Sequence, residues 1–63
     1  MATDYAEELA EVAYTAYGDS RGWLTAGGGM MPRWHEQAAP FREGWIAAQR
    51  KVLERLAADG RLR

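Results

Sequence analysis

Few side chains in this sequence are suited to catalysis. Nucleophilic catalysis needs a nucleophile, a base that activates it and a group that orients the base. Ser20 and His35 supply the first two, and Glu36 adjoins His35. No local signature links these residues, so we expect His35 to face solvent or pack in a loop. The protein is therefore predicted not to be an enzyme.

Metal and cofactor sites are equally poorly supported. The sequence has no cysteine and one histidine, so it lacks the residues of a conventional metal site, and no cofactor is expected. The run Gly27–Gly29 lacks the lysine and hydroxyl residue of a phosphate loop, and no strand is predicted before it. A flexible turn is the favoured interpretation of these glycines. Glu7, Glu8 and Glu11 are assigned to a solvated helix face.

Aromatic and arginine side chains are the more informative set. Aromatic faces with nearby arginines can stack a base and pair with phosphates. The candidate ligand-binding residues are Tyr14, Tyr17, Arg21, Trp23, Arg33, Trp34, Arg42 and Trp45. The alternative is that the tryptophans form the core, because each large aromatic buries roughly 150–250 Å².

The 63 residues make one small domain, residues 1–63. Chains this short compensate for a thin core with disulfides, metals, aromatic packing or self-association. Without cysteine the last two remain, so a homodimer is expected. No apolar run approaches the ~18 residues of a membrane span, and the acidic start does not resemble a signal peptide. A cytoplasmic location is therefore predicted.

The net charge of −1 and pI near 5.7 argue against nucleic-acid binding, which favours a strongly basic face. A basic cluster near the end is interpreted as a solvated helix terminus; it comprises Arg50, Lys51, Arg55, Arg61 and Arg63. The preference for arginine over lysine, with many alanines and glycines, indicates a GC-rich coding genome, such as that of an actinobacterium or one of its phages.

A first amphipathic helix is predicted from about residue 3 to residue 17. Its apolar residues recur at spacings of three and four: Tyr5, Leu9, Val12, Ala13, Ala16 and Tyr17. Thr3 or Asp4 can cap its start. Gly18 is expected to take the left-handed conformation that ends it.

A second helix is predicted over residues 40–59, with Pro40 in its first turn and Gly60 at its end. Its apolar stripe comprises Phe41, Trp45, Ala48, Val52 and Leu56, widened by Ile46, Gln49 and Leu53. Gly44 is the exception, because glycine within a helix costs about 1 kcal/mol relative to alanine. Close packing against the first helix is the favoured explanation, and space for a ligand beside Trp45 is the alternative.

The connection over residues 19–39 is long for so small a domain. It is too apolar for a solvated linker, since it contains Trp23, Leu24, Met30, Met31 and Trp34. We expect it to fold back over the helix pair and to form a short helical turn at residues 33–37. The predicted class is all-α: two helices joined by a long aromatic, glycine-rich loop.

The order of these motifs resembles one repeat of the ryanodine-receptor (RyR) domain family, as found in small bacterial and phage proteins. The similarity rests on an N-terminal helix, a glycine-containing loop, a Pro-x-Trp element and a closing helix; the matching positions are Leu9, Ala10, Tyr14, Tyr17, Pro32, Arg33, Trp34, Arg42, Val52, Leu53, Leu56 and Gly60. Gln37 departs from the family's usual leucine, and Gly44 and Trp45 also depart from it.

The resemblance implies a paired-helix module without enzymatic activity. In bacteria such modules stand beside signalling domains and are suspected of sensing nucleotide-like ligands. One hypothesis is therefore binding or sequestration of a nucleotide-like small molecule, for example by a phage protein that removes a host defence signal. The alternative is a protein-interaction module that inhibits or adapts a host protein, since Trp, Tyr and Arg are enriched at binding hot spots.

Overall fold

The computed structural model describes residues 4–60. Helix α1 spans Tyr5–Ser20, a 3₁₀ turn spans Trp34–Glu36, and helix α2 spans Ala39–Ala58. The helices pack against each other in antiparallel orientation, with Asp4 beside Arg50 at one end and Tyr17 beside Trp45 at the other. Within residues 4–60 the only strand-like pairing is an isolated bridge in the loop. The all-α prediction is confirmed.

Helix α1 begins where its capping signal predicts. The Asp4 carboxylate accepts a hydrogen bond from the Ala6 N–H at 3.1 Å, and Thr3 lies outside the described residues. Arg50 of α2 also donates to Asp4. This hydrogen bond, and then the one from Ala6, hold the pKa of Asp4 below its usual value. Asp4 therefore links the start of α1 to the second half of α2.

The buried row of α1 differs from the predicted stripe. The buried residues are Ala6, Ala10, Tyr14 and Gly18, spaced by four. Leu9 and Ala13 are half-buried, whereas Tyr5, Val12, Ala16 and Tyr17 are exposed. The predicted stripe was wrong by about one position because small alanines, rather than the larger side chains, face α2.

Gly18 does not end α1, contrary to the prediction. The helix continues to Ser20, and Gly18 is buried inside it. A Cβ atom at Gly18 would lie 2.6 Å from carbon atoms of the Trp23 ring, so glycine is needed here for close approach. The chain instead turns at Gly22 and Trp23, whose φ angles are 63° and 59°. A left-handed conformation is uncommon for tryptophan, and burial of the ring accounts for it here.

The loop folds back over the helices, as expected. Trp23 and Trp34 are buried, and Met31 packs against the same cluster. The glycine run forms a tight turn, in which Thr25 accepts from the Gly28 and Gly29 N–H groups at 3.0 Å each. The predicted short helical turn is the 3₁₀ turn Trp34–Glu36.

One side of helix α2 packs against this core. Its ends fit the prediction, with Pro40 in the first turn and Gly60 at φ 71° just beyond the helix. No residue of α2 is buried; its half-buried residues are Arg42, Trp45, Ile46, Gln49, Leu53 and Leu56. Phe41, Ala48 and Val52, predicted to share the core-facing stripe, are exposed.

The favoured explanation of Gly44, close packing against α1, is wrong. A Cβ atom built at this position would meet no atom within 4 Å. Gly44 is exposed instead, in a hollow beside Phe41, Trp45 and Ala48. Contacts within the described chain therefore do not require glycine here.

Tyr14 is the centre of the core. Its ring lies 5.8 Å from Trp23, 5.9 Å from Trp34 and 5.4 Å from Trp45, in tilted or edge-on geometries that favour aromatic pairs. Its hydroxyl donates to the Pro32 carbonyl oxygen at 2.6 Å. Burial, only partly opposed by the charge of Arg33, raises the pKa of the Tyr14 hydroxyl above its usual value near 10.

This raised pKa predicts loss of stability in alkali. Above pH ~10 the unfolded chain releases the Tyr14 proton before the folded chain does, so the free energy of unfolding falls as pH rises. Tyr14→Phe should weaken this dependence, while costing about 1 kcal/mol at neutral pH through the lost hydrogen bond. Denaturant titrations at a series of pH values measure both effects. Tyr5→Phe, at an exposed ring, should keep the wild-type slope; an unchanged slope in Tyr14→Phe would refute the prediction.

Candidate ligand-binding groove

An aromatic groove lies where the end of α1 meets the start of α2. It encloses about 400 Å³ and is lined by Tyr14, Tyr17, Pro32, Glu36, Gln37, Ala38, Phe41 and Trp45. This volume falls within the ~300–1,000 Å³ of ordinary small-molecule sites. Four aromatic side chains border it, Tyr14, Tyr17, Phe41 and Trp45, more than border the hollow at Gly44.

One aromatic ring of the groove is buried in the core, and two others are exposed to solvent. Trp45 meets Tyr14 nearly edge-on, at an interplanar angle of 82°, and lies 5.9 Å from Tyr17 at 44°. Tyr14 is held by the core, whereas Tyr17 and Phe41 are exposed. A flat molecule could therefore contact Tyr17 and Phe41 without disturbing the folded core.

Two arginines lie at the edges of the groove. The Arg21 guanidinium is 5.7 Å from the centre of the Tyr17 ring, and its Nε donates to the Leu24 carbonyl at 3.1 Å. Arg42 is half-buried and donates to the carbonyl of Gln37. Both cations retain N–H groups beyond these bonds, since a guanidinium carries five donors. They can offer positive charge near an otherwise aromatic cavity.

Two polar side chains of the lining, Glu36 and Gln37, already make hydrogen bonds within the chain. The Glu36 carboxylate accepts from the Arg33 backbone N–H at 2.7 Å, which holds the 3₁₀ turn. Gln37 is buried, and its amide lies 3.5 Å from the Trp34 carbonyl. Selection by the groove would therefore come mainly from shape and ring contacts.

The structure separates the candidate site residues into two groups. Tyr14, Tyr17 and Trp45 line the groove, and Arg21 and Arg42 lie at its edges. The remaining three belong to the core side of the loop: Trp23, Trp34 and Arg33. Trp23 and Trp34 are buried, and the Arg33 guanidinium lies 3.8 Å from the centre of the Trp23 ring.

Five lining residues were not among the candidates from the sequence, and Phe41 is the aromatic one; the others are Pro32, Glu36, Gln37 and Ala38. Phe41 was assigned to the core-facing stripe, yet it is 68% exposed and borders both the groove and the hollow at Gly44. The sequence carried no clear signal for this, because the spacing of apolar residues does not show which side of a helix faces the core.

Ser20 and His35 have different partners. The Ser20 hydroxyl donates to the Tyr17 carbonyl at 2.7 Å, and His35 lies 3.7 Å from the Glu11 carboxylate with both side chains exposed. In residues 4–60 no group of three or more His, Asp or Glu side chains is placed to hold a metal ion. Within the same residues neither helix has the length and apolarity to cross a membrane.

Basic residues of the second half are mostly paired. Arg50 contacts Asp4, Lys51 contacts Glu54 at 3.2 Å, and Arg55 contacts Asp59 at 3.1 Å. Arg61 and Arg63 lie outside the described residues. The described part of the basic cluster is thus neutralised locally.

No family model, curated protein or solved structure matches this chain.

Proposed function

We propose that this chain is a non-enzymatic binding module that holds the flat ring of a nucleotide-like small molecule in its aromatic groove. The observation that supports this most directly is the position of Tyr17 and Phe41, two exposed rings bordering one cavity above a buried Tyr14. Exposed aromatic rings around a cavity provide stacking surfaces, worth ~1–3 kcal/mol per base.

The arginines determine the orientation of such a ligand in the groove. A base in the groove would contact Tyr17 and Trp45, and the attached phosphate would extend towards Arg21 at the rim. The groove itself carries the Glu36 carboxylate and no lining cation, so the uncharged base is the better occupant of its interior. The phosphate belongs at the edge, where it remains hydrated.

The resemblance to RyR-type modules supports binding without turnover. A free-standing protein of this kind would act by sequestration, lowering the free concentration of a nucleotide signal. For a phage-encoded chain, that signal would be a host defence messenger. A cytoplasmic location is part of the same proposal.

Calorimetric titration with AMP and with adenosine tests the assignment of the groove. Tyr17→Leu is expected to weaken AMP binding about tenfold, because it removes one stacking face. Tyr5→Leu is the matched control, since Tyr5 is similarly exposed on the same helix (56% against 45% for Tyr17) and is not part of the groove lining. Arg21→Gln should weaken binding of AMP and leave adenosine unaffected.

Native mass spectrometry of gently purified protein extends the test to ligands other than AMP. A discrete bound mass with the absorbance of a nucleobase would identify the ligand class. If the protein carries no small molecule and binds neither AMP nor adenosine, the nucleotide proposal fails. Equal weakening by Tyr17→Leu and Tyr5→Leu would reject the groove as the site.

A protein partner is the second candidate, favoured by large apolar side chains on the surface. Met30 is 70% exposed in the loop, and Leu24, to which it is bridged, is 45% exposed. Met31 and Ile46, by contrast, are half-buried against the core. Loss of a partner through Met30→Gln, with AMP binding intact, would support this candidate over the first.

A further inference from the structure

Helix α2 carries a second apolar face that the core does not use. Phe41, Ala48 and Val52 are exposed and lie on one side of the helix together with Gly44. The half-buried residues of α2 point to α1 from the adjoining side. This outer face of α2 is therefore apolar without a partner in the described chain.

Gly44 forms a hollow in the middle of this face. The hollow measures about 420 Å³ and is lined by Pro40, Phe41, Gly44, Trp45 and Ala48. Nothing lies within 4 Å of a Cβ atom built at Gly44, so the intrachain contacts do not explain a residue that weakens the helix. Any larger side chain would reduce the hollow. An occupant from outside the chain would account for the glycine.

Phe41 forms the raised edge of the same hollow. Its ring is 68% exposed and lies one helical turn before Gly44. A projecting ring next to a cavity makes a self-complementary surface. In a two-fold arrangement the same patch serves both subunits, so each ring can enter the cavity of the other.

The dimensions of the chain favour a second copy as the occupant. Its radius of gyration is 13.4 Å, against roughly 11 Å for a compact domain of this length. The principal extents are 41 × 26 × 15 Å, so the chain is elongated. An elongated chain exposes more surface than a compact one, and a second copy can cover part of that surface.

The surface area leads to the same conclusion. The chain exposes 4791 Å², whereas a compact monomer of 7.1 kDa exposes about 4,100 Å². The excess of about 700 Å² is close to the ~800 Å² that each partner loses in a standard interface.

Charge does not oppose such pairing. The net charge is −1, and three basic residues in the second half of α2 have acidic partners within the chain: Arg50 with Asp4, Lys51 with Glu54 and Arg55 with Asp59. Two copies can therefore approach through α2 without placing unpaired like charges in contact.

We propose that two copies of this chain pair through the outer faces of α2, with each Phe41 seated in the Gly44 hollow of the other copy. Because Phe41 and Trp45 also line the aromatic groove, the second copy closes the open side of that groove. The pairing does not depend on ligand binding.

Sedimentation equilibrium over a range of concentrations, with and without AMP, tests the pairing. The wild-type chain should sediment as a dimer. Phe41→Gln removes the projecting ring, and Gly44→Gln fills the hollow with a better helix former, so each should raise the dimer dissociation constant at least tenfold. Met30→Gln replaces an apolar residue of equal exposure outside α2 and should leave the dissociation constant unchanged.

Circular dichroism establishes that the variants are folded. If Phe41→Gln is unfolded, Gly44→Gln decides, because this substitution favours the helix. A wild-type chain that is monomeric without AMP overturns the proposal, whether or not AMP makes it dimerise. So does a dimer that Gly44→Gln leaves intact. AMP binding is compared in the wild-type chain and in Gly44→Gln, because Gly44 does not line the aromatic groove whereas Phe41 does. AMP binding by monomeric Gly44→Gln would show that the groove works without the second copy, so the two proposals are judged separately.

Discussion

Trp34→Ala is expected to remove at least about a third of the free energy of unfolding of this chain. Trp34 is 4% exposed and packs against Tyr14 at 5.9 Å. Truncating a buried tryptophan to alanine costs ~3–5 kcal/mol. A domain of 63 residues has only about 3–9 kcal/mol in total. Urea denaturation followed by circular dichroism measures the loss directly.

Two further substitutions serve as controls for Trp34→Ala. Trp34→Phe keeps a ring in the core and should retain a cooperative unfolding transition. Met30→Ala, at a 70% exposed side chain, should change the free energy of unfolding by less than about 0.5 kcal/mol. A Trp34→Ala protein with near-wild-type stability that had lost AMP binding would instead assign Trp34 to a binding site.

Gly18→Ala is expected to destabilise the chain by about 2 kcal/mol, although alanine normally strengthens a helix. The new methyl group would overlap the Trp23 ring, 2.6 Å away. Trp23 has little freedom to move aside. Its indole N–H donates to Asp19 at 2.9 Å, its backbone N–H donates to the Gly18 carbonyl at 2.8 Å, and Arg33 covers the ring.

Thermal and urea denaturation of Gly18→Ala, together with near-ultraviolet circular dichroism of the tryptophans, measure this effect. Gly27→Ala is the matched control, because a Cβ atom there meets nothing within 4 Å. It should change the free energy of unfolding by less than about 0.5 kcal/mol. Equal or greater stability of Gly18→Ala would show that the ring shifts at no cost, contrary to this account.

The candidate site was predictable in part. Aromatic residues near arginines suit a flat ligand, and this led to the choice of Tyr14, Tyr17 and Trp45. These three residues do border one groove. The sequence did not indicate which of the other aromatic rings would be accessible. Trp23 and Trp34 have the same residue type as Trp45, and only the path of the loop places them in the core.

The sequence by itself determined the two helices and most of their ends. Asp4, Pro40 and Gly60 act through local backbone geometry, which is why their effects could be predicted without knowledge of distant contacts. The spacing of apolar residues likewise requires helices, and the all-α class follows from it. The short turn after Arg33 was predicted on the same local basis.

Only the tertiary structure decided which face of each helix is buried. Helix α1 carries two neighbouring rows of apolar residues, and periodicity does not distinguish a row of small alanines from a row of larger side chains. The choice depends on how closely α2 and Trp23 approach, which is why Gly18 is buried within α1 rather than ending it. Helix α2 likewise has two apolar sides. Helix α1 is too narrow to cover both of them, so Phe41 and Gly44 remain exposed.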